Sequence, residues 1–143
     1  MADYADAAVR TLAADATSIS ASLELAAERG GDLTAAVYAR LFRERPELEP
    51  LFVMDTNGAV RGEMLARAFD AILDFVSERA YADHLIGAEA ANHEGYLVPR
   101  EAFAAFFAIM RDVVQEACGA DWSDDMAAAW RAMLTELQQY VAA

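Results

Sequence analysis

The chain has 143 residues, 57% of them hydrophobic, and a formal net charge of −13, which suits one compact domain with a sizeable core. That negative charge excludes the basic surface needed to bind nucleic acid or an anionic membrane, and no apolar run is long enough to span a bilayer. Cys118, the only cysteine, excludes an internal disulfide or a cysteine-built zinc site and reads as a small buried hydrophobe near a helix end.

Apolar residues recur at helical spacing almost everywhere, and no stretch keeps up strand alternation. The pattern predicts an all-α domain of six to eight helices. A first helix runs over about residues 3–28 and stops at "RGGD", where Gly30 and Gly31 end it and Asp32 caps the next. The second, about 33–44, places Val37, Tyr38, Leu41 and Phe42 on one face, and Pro46 suits the first turn of a short helix, "PELEPLF". After "VMDTNGA" comes a helix with Leu65, Ala68, Phe69, Ile72, Leu73 and Val76 on a stripe. A shorter one, about 83–93, carries Leu85, Ile86, Ala90 and His93. "VPREAF" begins a long helix, "GADWSDD" breaks it, and Ser123 caps the last, whose stripe is Met126, Trp130, Met133, Leu134, Leu137 and Val141. The charged start "MADYADAAVR" is no signal peptide, so a cytoplasmic, soluble protein is expected.

The chain has two histidines. His84, nine residues before His93, does not share a helix face with it, so the pair should not hold one metal; it is expected at the surface, at a helix start. Taken alone, His93 on an apolar face reads as a hydrogen-bonded core or edge residue. Neutral imidazole is also the usual axial ligand of haem iron in helical proteins. The choice turns on what stands in register with it.

Tyr38 stands fourteen residues before Phe52, His93 stands ten before Phe103, and Trp130 lies in the final helix. With "VYARLFRERPELEPLF" and "NHEGYLVPREAF", these intervals resemble a bacterial haemoglobin, a single-domain globin similar to the haem domain of flavohaemoglobins, over about residues 19–140. The resemblance implies a globin-like fold over residues 19–143, with residues 1–18 as an N-terminal helical extension. It implies haem b (iron protoporphyrin IX) as cofactor, with His93 as the proximal iron ligand. Phe52 would pack on the porphyrin and Tyr38 would point its hydroxyl at a ligand on the iron. Leu65 would cover the distal face, Val98 would touch the haem edge, and Arg61 would take the main distal polar position. Gly62 supports that register if its helix crosses the Tyr38 helix closely; a shift by one would put Val60 there instead.

The family more often has glutamine or histidine where Arg61 stands. Its proximal network carries a tyrosine where this chain has Phe103, and a late glutamate whose position falls beyond Ala143. That loss favours reversible binding or sensing over efficient turnover. No flavin reductase segment is present in these residues, so nitric oxide dioxygenase activity would need a separate reductase, and no catalytic residue is assigned.

The implied function is reversible binding of dioxygen or another diatomic gas (nitric oxide, carbon monoxide) for oxygen transport, gas sensing or nitric oxide detoxification. The alternative, from a different class, is a haem-free globin-like helical module for dimerisation or signalling; bulky pocket-filling residues would mark it. Ala5, Val9, Leu12, Ala16, Ile19, Leu23 and Ala26 follow a heptad spacing, so a homodimer through the N-terminal stretch is expected.

Overall fold

The spacings of three and four become helix along nearly the whole chain. The computed structural model describes residues 2–142, with side chains from residue 14 onward. The described residues form six α-helices: α1 (Ala2–Gly30), α2 (Thr34–Glu44), α3 (Ala59–Val76), α4 (Ala82–Gly95), α5 (Arg100–Cys118) and α6 (Asp124–Ala142). Short 3-10 helices, Pro46–Phe52 and Gly119–Asp121, stand between α2 and α3 and between α5 and α6. The all-helical expectation holds. No helix among the described residues is long and apolar enough to cross a membrane.

The boundaries have local causes. Gly31 closes α1 in a left-handed conformation, φ +64°, with its N–H donated to Ala27 O at 3.0 Å. Asp32 Oδ1 then accepts the Thr34 N–H at 3.0 Å, and Ser123 Oγ accepts the Met126 N–H at 3.1 Å, each satisfying a first-turn donor. Pro46 starts its 3-10 helix, where a missing N–H costs nothing.

α1 packs on α5 and α6 and reaches α3; α2 packs on α5 and crosses α3; α4 lies against α3, α5 and α6. The α6 stripe is buried as expected at Trp130, Met133, Leu134, Leu137 and Val141, each worth about 1.5–3 kcal/mol for a side chain of that size. The C-terminal half of α1 docks through Ile19, Ser22 and Ala26, all fully buried. The seam residues Ala5, Val9 and Leu12 lie outside the residues whose side chains are described.

One polar chain runs through this core. Trp130 Nε1–H donates to Ser22 Oγ at 2.9 Å, and Ser22 Oγ donates to Ile19 O at 2.6 Å. Cys118 Sγ, fully buried at the end of α5, lies 3.4 Å from Ser22 O, and burial pushes its thiol pKa up. Ser22→Ala should leave the indole N–H unpaired in the core and lower stability by about 1–3 kcal/mol. Urea unfolding of the two proteins checks this; equal midpoints would mean the indole finds another acceptor.

The joint between α3 and α4 sets the angle at which α4 presents His93. Asp74, near the end of α3, accepts the N–H groups of Ala80, Tyr81 and Ala82 at 3.0, 3.0 and 2.8 Å. The Tyr81 amide is the largest influence holding the Asp74 carboxyl below its ordinary value; partial desolvation works against it. A depressed folded-state pKa means the stabilisation is complete above the unfolded value, about 3.9, and is lost as pH falls through the folded value. Asp74→Asn should therefore be less stable than the parent at pH 7, and the difference should shrink below about pH 4. Thermal unfolding at pH 7 and pH 3 reads this directly, and a gap that does not narrow with acid would contradict it.

Candidate functional site

α2, α3, α4 and α5 enclose a cavity that opens to solvent on one side, with an empty volume of about 980 Å³ when its mouth is included. Its lining is almost wholly apolar. α2 supplies Tyr38 and Leu41, the first 3-10 helix supplies Leu48, Leu51 and Phe52, and α5 supplies Ala102, Phe103, Phe106 and Phe107. Val98 closes the edge between α4 and α5. Three alanines on the walls, Ala68, Ala71 and Ala102, leave the space that larger residues would fill.

His93 enters this cavity from the last turn of α4. Its Nδ1 lies 2.8 Å from Glu89 O, one turn earlier. A carbonyl oxygen can only accept, so Nδ1 carries a proton, and in the neutral imidazole the Nε2 lone pair is then free. Nε2 has no hydrogen-bond partner among the described residues. The Phe103 ring packs on the imidazole, centroids 4.9 Å apart, and offers no hydroxyl. This arrangement, one ring nitrogen fixed by a carbonyl and the other left free, is how a protein readies histidine as a metal ligand. Among the described residues no three His, Cys, Asp or Glu side chains gather as a direct metal site.

Tyr38 lines the same cavity and is 2% exposed. Its ring is wedged among Phe42, Phe52 and Phe106, with centroids 5.9, 5.4 and 5.6 Å away. Its hydroxyl is buried without a hydrogen-bond partner. A buried, unpaired hydroxyl costs about 1–3 kcal/mol, a cost that a hydrogen-bonding group brought into the site would relieve. Burial pushes the phenol pKa well above its ordinary value, with the Arg61 charge pulling it down and the Asp55 charge pushing it up. Tyr38 therefore stays a neutral donor at physiological pH.

Of the six residues expected at the site, the fold brings Tyr38, Phe52, His93 and Val98 together and leaves Arg61 and Leu65 outside the lining. Arg61 is held at the start of α3. Asp55, whose side chain is 5% exposed, takes the Val60 N–H at 3.1 Å and the Arg61 N–H at 3.0 Å. It also takes the Arg61 Nε–H at 3.0 Å, while Arg61 Nη2 donates to Asp55 O at 2.9 Å. Burial raises the Asp55 pKa, but these amide and guanidinium donors outweigh it, and the carboxyl sits below its ordinary value. Arg61 thus closes the loop into α3 and stands outside the cavity lining, while its charge still reaches Tyr38. Leu65, 3% exposed, belongs to the core stripe.

The face of α3 on the cavity is Met64, Arg67, Ala68 and Ala71, a stripe at spacings of three and four that, continued back one turn, leads to Val60 and Arg61 alike. Gly62 does face α2, but at its first turn: an added Cβ would meet Thr34 Oγ1 at 3.9 Å, an ordinary contact. The crossing does not require the glycine. His84 lies on the surface as expected, its side chain 91% exposed beside Asp83. Glu89, which also lines the cavity, was not singled out from the sequence, although its spacing of four from His93 marks the pair as neighbours.

A bundle of helices holding an apolar slot, lined by a histidine with one unpartnered ring nitrogen and by a tyrosine with a buried, unpartnered hydroxyl, suits a flat apolar cofactor. The Globin family matches residues 35–141, and the chain belongs to that family, whose members typically bind haem and, through it, a gas. No curated protein and no solved structure matches the chain. The residues present fit haem: apolar walls for the ring, one free imidazole nitrogen for the iron, and one unpaired donor for a ligand.

Proposed function

We propose that this protein binds haem b in the cavity and uses it to bind a diatomic gas reversibly, dioxygen first among dioxygen, nitric oxide and carbon monoxide. The observation that carries this reading is the partnerless, buried hydroxyl of Tyr38, a residue that lines the same apolar cavity as His93. When bound, haem supplies a ferrous iron with an open coordination position for the gas. The chain's own residues do the rest. His93 Nε2 holds the iron, Phe52 and Val98 pack on the ring, and the aromatic cluster around Tyr38 excludes water from its hydroxyl. Tyr38 donates a hydrogen bond to a ligand that carries partial negative charge. Arg61 acts at one remove, through the charge it presents to Tyr38.

Kinship with bacterial haemoglobins, and a cytoplasmic place of work, belong to the same proposal. So does turnover of nitric oxide, which would need electrons from a separate reductase. The small wall residues Ala68, Ala71 and Ala102 favour a cofactor-holding globin over a haem-free helical module, in which bulky side chains would occupy that space. Reversibility is the test. The haem-loaded, reduced protein should shift its visible absorption under carbon monoxide or dioxygen and return when the gas is removed. A spectrum indifferent to both gases would sink the proposal.

A further inference from the structure

Glu89 is the one acidic side chain among the residues that line the cavity. It stands one turn before His93 on α4, and its main-chain carbonyl already takes the Nδ1 proton at 2.8 Å. Its carboxylate comes to the same place: Oε2 lies 3.6 Å from His93 Nδ1, too long for a hydrogen bond but close enough for direct electrostatic attraction. Among the described residues the carboxylate forms no other ion pair. Arg67, the cation on the same lining, is paired with Glu63 at 3.1 Å. On its Phe103 side the imidazole meets only an aromatic ring.

We propose that Glu89 is a positioning residue for His93: its carboxylate, held beside Nδ1–H, makes Nε2 a stronger electron donor to the metal. This rests on the haem reading above. Negative charge beside a ligating imidazole raises the ligand's basicity and favours the more highly charged, ferric state of the iron. The carbonyl alone fixes the tautomer. The carboxylate adds charge, and that difference can be measured separately from folding.

The experiment uses the haem-loaded full chain and two variants. Glu89→Gln keeps the shape and removes the charge, while Glu116→Gln makes the same change of net charge at an exposed site on α5 outside the cavity lining. The ferric–ferrous potential is measured by spectroelectrochemistry, and the iron–imidazole stretch of the ferrous protein by resonance Raman. Glu89→Gln should favour the ferrous state by about tenfold, a rise of about 59 mV for one electron, and should lower the stretching frequency. Glu116→Gln should leave both near the parent values. Glu89→Gln leaves the main-chain carbonyl in place, so His93 keeps its Nδ1–H partner, and both readings are made on the haem-loaded fraction of each protein. A potential and a frequency unchanged in Glu89→Gln would overturn the proposal, as would an equal shift in Glu116→Gln. A parent protein without an iron–imidazole mode would overturn the haem reading itself, and this inference with it.

Discussion

Replacing His93 with alanine should weaken haem binding by on the order of a hundredfold or more, since loss of a group that merely orients a metal ligand already costs 10–100-fold. The cavity walls can hold an apolar ring by burial, but they offer no second nitrogen or sulfur donor in the position of His93. Met64, the only sulfur on the lining, sits on α3 rather than α4. The fold should survive the change, because His93 lies at the end of α4 and its Nδ1–H bond is local to that helix. Free imidazole should enter the vacated space and restore haem affinity in part, the Phe103 ring and Glu89 carbonyl providing its seat. Haem transfer to an acceptor protein, followed by absorbance with and without imidazole, measures both effects. A variant that keeps the parent's haem retention and spectrum would mean that another residue holds the iron.

The second large effect is expected at Tyr38, and it has two signs. In the haem-loaded protein, Tyr38→Phe should speed dioxygen release roughly tenfold or more, because a hydrogen bond to a charged or strongly polarised acceptor contributes about 1.5–3 kcal/mol. Carbon monoxide, less polar when bound, should respond less. In the haem-free protein the same substitution should stabilise the fold, since it removes a hydroxyl that is buried without a partner and keeps the ring packed against Phe42, Phe52 and Phe106. The gain should be about 1 kcal/mol or more. Faster gas release together with a more stable apoprotein would separate a functional hydroxyl from a structural one. Unchanged release rates by stopped flow would show that Tyr38 does not face the ligand.

Most of the fold was readable because its signals are local. Gly30 and Gly31, Pro46, Pro99 and Ser123 mark ends that backbone sterics and unpaired donors impose on any helix. That Tyr38, Phe52 and His93 line one cavity was readable as intervals, since they are tied to rigid elements of fixed length. The face of α3 was not. "MLARAFDAIL" is apolar on two adjoining stripes, one through Leu65 and Ile72, the other through Met64, Ala68 and Ala71. Residues 61 and 64 differ by only about 60° around a helix, so periodicity cannot choose between these stripes. The choice is made by Asp55, a loop residue whose carboxylate takes both the first-turn amides of α3 and the Arg61 guanidinium. Such a contact depends on how the loop folds back, and no spacing rule announces it. Glu89 was readable in principle, four residues before His93, but its importance depends on the carboxylate and the imidazole turning the same way into a shared cavity.

Titration of the haem-free protein with haemin tests the central claim, that the cavity between Tyr38 and His93 is a haem site. Absorbance in the Soret region should rise in a straight line to a sharp break at one haemin per chain, and after reduction the spectrum should be that of an imidazole-ligated haem. A gradual curve without a break, with the broad spectrum of free haemin throughout, would contradict it.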